Sequence, residues 1–414
     1  MNMKAPQKFT NPFRPGAGHM PPYLAGRETE IKEFQKMLTQ DVILENPILT
    51  GLRGLGKTVL LETFKPLAMQ EGWLWVGTDL SESTSITEER LALRLLTDLS
   101  IVTSTIIVSS EERAAFGFKR ETIKVEHTLN YQTLQGLYES TPGLVADKLK
   151  RVFEFVWQGA RHLNKRGIIF AYDEAQNLGD HAGKNEFPLS LMLDVFQSVQ
   201  RKGIPFMLAL SGLPTLLPKL VVARTYAERM FHVIFLNKLD EQSSRDAILK
   251  PISDSKSPVR FNEESVKAVF KISGGYPYFI QYVCREVFDV WVLKLDADES
   301  VAPIPVNEIL RKLDSDFFAG RWARATDRQR DLLRVIARLE NCDLEFTVQE
   351  VVELSEKLLD KPFGSSHVNQ MLVFLGEAGL VYKNRWGKYS FAVPLLGQFI
   401  RRQEQNEKER GLFE

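Results

Sequence analysis

The spacing of apolar positions divides the chain into stretches of different character. Between about residues 40 and 240, short apolar runs alternate with segments of helical spacing. The runs Val42 to Leu49, Trp73 to Val76, Ile168 to Tyr172, Phe206 to Leu210 and Val233 to Leu236 read as strands. Alternating strands and helices predict a largely parallel sheet covered on both faces. Ahead of them, Ile31, Phe34 and Leu38 mark one buried face of a helix. The interval from about Ser100 to Ser140 breaks this rhythm. It carries a β-branched run, Ile101 to Val108, and then a mixed charged stretch, and it is longer than an ordinary connection, so it reads as an insertion.

After Leu239 the pattern is helical only. Asp240 to Ile252, Asn262 to Ile272, Tyr276 to Leu295 and Val306 to Phe318 have apolar residues at helical spacing, with a break at Gly274-Gly-Tyr-Pro277. A second change comes near Gly320. Helical segments Arg328 to Leu339, Thr347 to Leu358 and Ser365 to Ala378 precede two strands, Leu380 to Asn384 and Lys388 to Val393, which is the order of a winged-helix module. The expected organisation is an arm over 1–24, an α/β core over 25–239 with an insertion at about 100–140, an all-α lid over 240–319 and a winged helix over 320–414.

Composition adds little to that picture. The chain of 414 residues is long enough for two or three domains, and 53 Lys and Arg balance 53 Asp and Glu, so no whole-protein basic field announces nucleic acid. Cys284 and Cys342 lie far apart and read as buried reduced thiols rather than a disulfide or metal site. The longest apolar helix, around Val287 to Leu295, is interrupted by Asp289 and is too short to span a membrane. Met1 to Gly18, rich in Pro, Gly and Asn, lacks an apolar core and reads as an arm rather than a targeting peptide. A cytoplasmic enzyme is expected.

Candidate chemistry sharpens this expectation. Gly51-Leu-Arg-Gly-Leu-Gly-Lys57-Thr58 fits G-x-x-x-x-G-K-[ST] and follows an apolar run that can serve as its strand. Glycines let the backbone turn so that N–H groups converge on phosphate oxygens, and the helix beginning near Gly56 turns its positive end to the same anion. Lys57 would neutralise the β and γ phosphates, and Thr58 would ligate Mg²⁺. Gly167-Ile-Ile-Phe-Ala-Tyr-Asp173-Glu174-Ala-Gln176 delivers two acids to the carboxyl end of a buried strand, where ligands of an open α/β sheet bind. Asp173 reads as the metal-side acid and Glu174 as the base for the attacking water.

Together these features resemble the AAA+ ATPases related to origin-recognition initiators, and within them the broad bacterial and archaeal group of AAA-family ATP-binding proteins. The resemblance is carried by Pro22 to Glu30 with its Leu-Ala-Gly-Arg, the phosphate loop, Asp173-Glu-Ala-Gln176, Ser211-Gly-Leu-Pro214, Gly274-Gly-Tyr-Pro277 and the run from Phe317-Phe to Arg330. It implies that Gly51, Gly54, Leu55, Gly56, Lys57, Thr58 and Val59 cradle ATP or ADP with Mg²⁺. Tyr23, Leu24 and Arg27 would line the adenine side, or else staple the following helix. Pro277 would touch the base. Ser211 would occupy the sensor position, orienting the lytic water, unless it simply caps a helix.

The resemblance also implies an arginine finger for a neighbouring subunit's site, with Arg224 and Arg229 as candidates and Arg229 the better match in position. Gly-Gly-Tyr-Pro stands where initiators usually place a lid arginine. That departure resembles signal-transducing ATPases and favours a nucleotide-controlled switch with low turnover. On the winged helix, Ser366, His367, Asn369 and Gln370 could reach base edges, and Lys383, Arg385 and Lys388 could meet phosphate. Residues 320–414 hold 15 Lys and Arg against 14 Asp and Glu, a net of +1, which is feeble for phosphate neutralisation. Double-stranded DNA, a protein partner or further copies of the chain therefore all stand as expected partners.

Overall fold

The computed structural model describes residues 9–114, 122–255, 257–297, 303–385 and 387–411. They gather into two compact units, each with its own apolar core. A sheet unit comprises the described residues of Glu28–Thr50 and Leu60–Phe235. A helical unit comprises those of Met1–Arg27, Gly51–Val59 and Leu236–Glu414.

The sheet unit begins with α1 (Glu28–Leu38) and β1 (Asn46–Thr50), after which the phosphate loop leads into α2 (Lys57–Gln70). There follow β2 (Trp73–Val76), α3 (Glu88–Thr103), a hairpin of β3 (Ile107–Ala114) and β4 (Thr122–Thr128), then α4 (Tyr131–Ser140) and α5 (Val145–Ala160). The remainder is β5 (Gly167–Tyr172), α6 (Pro188–Arg201), β6 (Phe206–Gly212), α7 (Leu216–Ala223), the short α8 (Ala227–Met230) and β7 (Phe231–Phe235). Five strands form a parallel sheet in the order β2-β5-β6-β1-β7. Every residue of β1, β5 and β6 is buried, as expected for strands covered by helices on both faces. Phe153 of α5, Phe170 of β5, Phe196 of α6 and Phe206 of β6 pack, mostly edge to face, at centroid distances of 5.0 to 5.6 Å in the core of this unit.

Two boundaries differ from the sequence pattern. The first strand starts at Asn46 rather than Val42, and Val42 and Leu44 are exposed, because the segment before Asn46 has no sheet partner. The β-branched run from Ile101 to Val108 is not one element: Ile101 to Thr103 close α3 and the strand begins at Ile107. Helical packing there overrides β-propensity, since Leu91, Leu95 and Leu99 bury one face of α3 and carry the helix onward. Between α3 and α4 the interval holds β3 and β4, paired antiparallel with Ile107 opposite Thr128 and Ala114 opposite Thr122.

Helices α9 (Glu241–Asp254), α10 (Glu263–Ser273), α11 (Pro277–Asp296) and α12 (Val306–Leu313) open the long part of the helical unit, close to the helical pattern of the sequence. After α12 the backbone passes through a π-helical turn, Asp314–Ala319, into α13 (Gly320–Trp322). Then come α14 (Asp327–Ala337), β8 (Phe346–Thr347), α15 (Val348–Leu358), α16 (Ser365–Glu377), β9 (Val381–Arg385), β10 (Lys388–Phe391) and α17 (Leu396–Gly411). The three strands pair antiparallel in the order β8-β10-β9. Strand β8 and helix α17 are additional to the sequence reading. Arg402 of α17 donates to Asp314 at 3.0 Å, fastening this helix to the π-helical turn.

Asn46 is a buried polar side chain in the sheet. Its Oδ1 accepts from the Leu208 N–H at 2.7 Å and from Gln200 Nε2 at 2.9 Å, and its Nδ2 donates to Met230 O at 3.1 Å and Gln200 Oε1 at 3.2 Å. One side chain thus bridges β1 to β6, α6 and the end of α8. Asn46→Val should lower the unfolding free energy of the sheet unit by about 2–4 kcal/mol in urea titrations, because it strands buried partners on both sides.

Candidate nucleotide site

The phosphate loop lies in the helical unit. Gly54 and Gly56 take φ of 80° and 87°, the left-handed region that side chains avoid. A Cβ at Gly51 would come within 2.8 Å of Leu236 O, so this position has no room for a side chain. Lys57 is buried, and its Nζ donates to Gly51 O at 2.9 Å and Leu52 O at 3.0 Å. The ammonium therefore rests inside the loop's own ring of carbonyls, with Thr58 in the first turn of α2, the positive end of that helix.

Two groups hold the loop in shape. Arg27 is buried and its Nη2 donates to Leu55 O at 3.0 Å and Asn237 O at 2.8 Å, so the guanidinium grips the loop backbone. On the other side the Tyr278 N–H donates to Gly54 O at 3.2 Å, which sets the start of α11, with Pro277 in its first turn, against the loop. Leu55 is buried, and Val59 is half-buried. Tyr23 and Leu24 are also half-buried, and the Tyr23 hydroxyl accepts from Lys250 Nζ at 2.7 Å.

The C-terminal module meets this region. A Cβ at Gly379, just after α16, would sit 3.3 Å from Arg53 Nη1 of the loop, and one at Gly274 would meet Leu395 Cδ2 at 2.9 Å. The Tyr276 hydroxyl is pushed up to about 12 by burial and then by the charges of Asp343 and Tyr382. The Gly-Gly-Tyr-Pro turn is therefore enclosed by residues of the last hundred positions.

In the sheet unit, Asp173 and Glu174 follow the carboxyl end of β5. Asp173 is buried. Its O accepts from the Leu80 N–H at 2.9 Å, and its Oδ1 accepts from the Glu174 N–H at 2.8 Å. The register of Tyr172 with Leu210 carries Asp173 and Ser211 to the same face of neighbouring strands. Ser211 is fully buried and its Oγ has no hydrogen-bond partner among the described residues, so it caps no helix. An orphaned buried hydroxyl beside an acid fits a site for a polar ligand or water.

Asp79 was not singled out by the sequence, and Gln176 entered only as the end of a motif, with no role of its own. Asp79 pairs with Asp173 as an isolated bridge, and its carboxyl is raised by desolvation first and then by repulsion from Asp173, Glu174 and Glu62. Its place follows from the pairing of β2 with β5, which no local pattern announces. Gln176 donates through Nε2 to Glu174 Oε2 and accepts the Leu213 N–H on Oε1 at 3.0 Å. Its position two residues after the acid pair was the available signal.

The two finger candidates differ in their surroundings. Arg224 Nη1 donates to Ser190 Oγ at 2.9 Å and Ala223 O at 3.0 Å within its own chain. Arg229 is exposed on α8. On α16, His367, Asn369 and Gln370 are exposed, followed by exposed Val373 and Phe374. Lys383 of β9 is exposed and Lys388 of β10 is half-buried. The side chain of Arg385, and Trp386 as a whole, lie outside the described residues.

A family model described as a domain of unknown function (DUF8462) matches residues 315–400. No curated protein matches the chain. Among solved structures, the ORC2 protein of Aeropyrum pernix in its ADP form is similar over 94% of this chain and 97% of its own, at 12% identity and a TM-score of 0.53. The same protein as ADPNP–ADP complexes is similar over 95% and 98%, at 12% identity and a TM-score of 0.51. The ORC1 protein of Aeropyrum pernix in complex with DNA shows 15% identity over 92% of this chain and 94% of its own, with a TM-score of 0.46.

The grip of Arg27 on the loop generates a test. Arg27→Ala should weaken ATP binding by roughly tenfold, about 1.4 kcal/mol, because the loop must then be ordered by the nucleotide itself. Titration with a fluorescent ATP analogue measures this, and an affinity equal to that of the parent would deny Arg27 the bracing role.

Proposed function

The chain has the P-loop fold of the AAA+ ATPases related to origin-recognition initiators, and from that premise we propose that it is a Mg²⁺-dependent ATP-binding protein and slow ATPase that works as a nucleotide-controlled switch. The observation that carries this reading is the loop: two left-handed glycines, a buried lysine ammonium among backbone carbonyls and a helix N-terminus, an arrangement suited to a polyphosphate. Lys57 exchanges its carbonyl partners for the β and γ phosphates. Among the described residues, no three His, Cys, Asp or Glu side chains gather as a metal-holding group. In this reading the Thr58 hydroxyl and Asp173 would hold a Mg²⁺, which would supply charge neutralisation in phosphoryl transfer.

Glu174 acts as the general base and Ser211 helps to hold the water it activates. Tyr23, Leu24 and Pro277 take the purine side, with Arg27 holding the loop beneath them. Arg229, exposed where Arg224 is engaged, is assigned as the finger for a second copy. The nearness of Gly379 to Arg53 of the loop and of Leu395 to Gly274 supports the switch reading, in which the C-terminal module responds to nucleotide state.

Lys57→Ala and Glu174→Gln separate binding from chemistry. The first should bind ATP weakly or not at all. The second should keep ATP·Mg²⁺ and lose turnover by roughly 10². A folded Lys57→Ala protein with parental ATP affinity, or a Glu174→Gln protein with the parental rate, would overturn these assignments.

Double-stranded DNA is the second reading, favoured by the exposure of His367, Asn369, Gln370 and Lys383. In the alternative, the exposed Val373 and Phe374 on the same helix meet a protein. Gel-shift titrations at two salt concentrations, with and without ATP, decide between them. If DNA is bound, replacing Lys383, Arg385 and Lys388 by Gln should weaken binding on all sequences and flatten the salt slope by up to about three units. A parent protein that binds no DNA at either salt concentration assigns the face to a protein partner.

A further inference from the structure

We propose that Asp79 is a further positioning residue for the divalent ion assigned to Asp173, holding one of its waters from beyond the end of β2; this rests on the reading of Asp173 as the metal-side acid. Strand β2 runs beside β5 with Trp73 opposite Gly167 and Val76 opposite Phe170, and the isolated bridge of Asp79 with Asp173 continues the same offset past the strand. Residues paired in this way on parallel strands turn their side chains to one face of the sheet. The register of β5 with β6 carries Ser211 to that face as well. Three neighbouring strand ends therefore present two carboxylates and a hydroxyl in one row.

Backbone contacts fix Asp79 in that row. Gly77 takes φ of 127°, and a Cβ on it would lie 1.8 Å from Ala171 O, so only glycine lets the two chains run this close. On either side of Asp79, the Asp173 N–H donates to Thr78 O at 3.3 Å and the Leu80 N–H donates to Asp173 O at 2.9 Å. Asn177 Nδ2, from the turn after the acids, donates to Leu80 O at 2.9 Å, and Leu80 itself is buried.

Among the described residues no lysine or arginine pairs with Asp79, and the charges that act on it are those of Asp173, Glu174 and Glu62. The Ser211 hydroxyl, in the same row, is fully buried with no hydrogen-bond partner among the described residues. Like charges held together and an orphaned hydroxyl both cost stability, and a hydrated divalent cation relieves both. Mg²⁺ suits such a row because it keeps several waters and takes only one or two carboxylates directly. Asp173 is buried and Asp79 exposed, which fits Asp173 beside the ion and Asp79 at its water shell.

The test follows the ion itself and needs no turnover. The full chain, saturated with a non-hydrolysable ATP analogue, is titrated with Mn²⁺ as the probe, and free Mn²⁺ is read by electron paramagnetic resonance. Asp79→Asn should bind Mn²⁺ roughly tenfold more weakly than the parent, the ordinary loss for a partner in the outer shell, and Asp79→Ser gives a second variant read in the same way. In EDTA, with no divalent ion present, Asp79→Asn should melt at or above the parental temperature, because repulsion among the acids is relieved. Parental Mn²⁺ affinity in both variants overturns the proposal. So does a lowered melting temperature in EDTA, which would mark Asp79 as a structural brace. Asp173→Asn is titrated alongside. If it binds Mn²⁺ as the parent does, the reading of Asp173 itself fails, whereas a loss in Asp173→Asn with none in the Asp79 variants removes only the role of Asp79.

Discussion

A parallel sheet buried on both faces can offer chemistry only at the ends of its strands, and this constraint organises the molecule. The interiors of β1, β5 and β6 are wholly buried. Polar groups appear where these strands begin or stop: Asn46 at the start of β1, and Asp173 and Ser211 at the carboxyl ends of β5 and β6. The register between β5 and β6 sets the acid and the orphaned hydroxyl side by side, and a slip of one residue would turn one of them to the opposite face. Asn46, satisfied at both ends of its amide, ties the start of β1 to β6 and α6.

The helical unit solves a different problem, that of keeping a glycine-rich loop in one conformation. Glycine lets the loop adopt left-handed angles but leaves it with a large entropy to lose. Arg27 and the Tyr278 N–H hold its carbonyls from two directions. The long tail of the chain then encloses the lid turn. Arg402 and Asp314 fasten the final helix to the π-helical turn, so the same unit that carries the loop carries the exposed face of α16.

Much of this was legible because it is local. The phosphate loop, the acid pair and the helical stretches after Leu239 follow from spacing and composition alone, and the strands were placed within a few residues. The start of β1 was misplaced because strand formation at Val42 requires a partner, and the pattern of one segment says nothing about where its neighbour begins. The β-branched end of α3 looked like strand for a similar reason: burial of its leucine face outweighs the modest preference of Ile101 and Val102. Asp79, and the contacts of Gln176, were not legible because they depend on which strand and which turn lie beside them.

The sequence by itself therefore determined the kinds of chemistry present: a lysine and threonine after glycines, two carboxylates after a buried strand, and a near-neutral C-terminal module. These are properties of single segments, set by backbone freedom and side-chain charge. Only the tertiary structure decided their partners. Insertion of β6 between β1 and β5 aligned Ser211 with Asp173, pairing of β2 with β5 brought Asp79 to the acids, and the turn after β5 folded Gln176 onto Glu174. Each is a non-local contact whose free energy comes from burial of the whole sheet, which no short stretch of sequence contains.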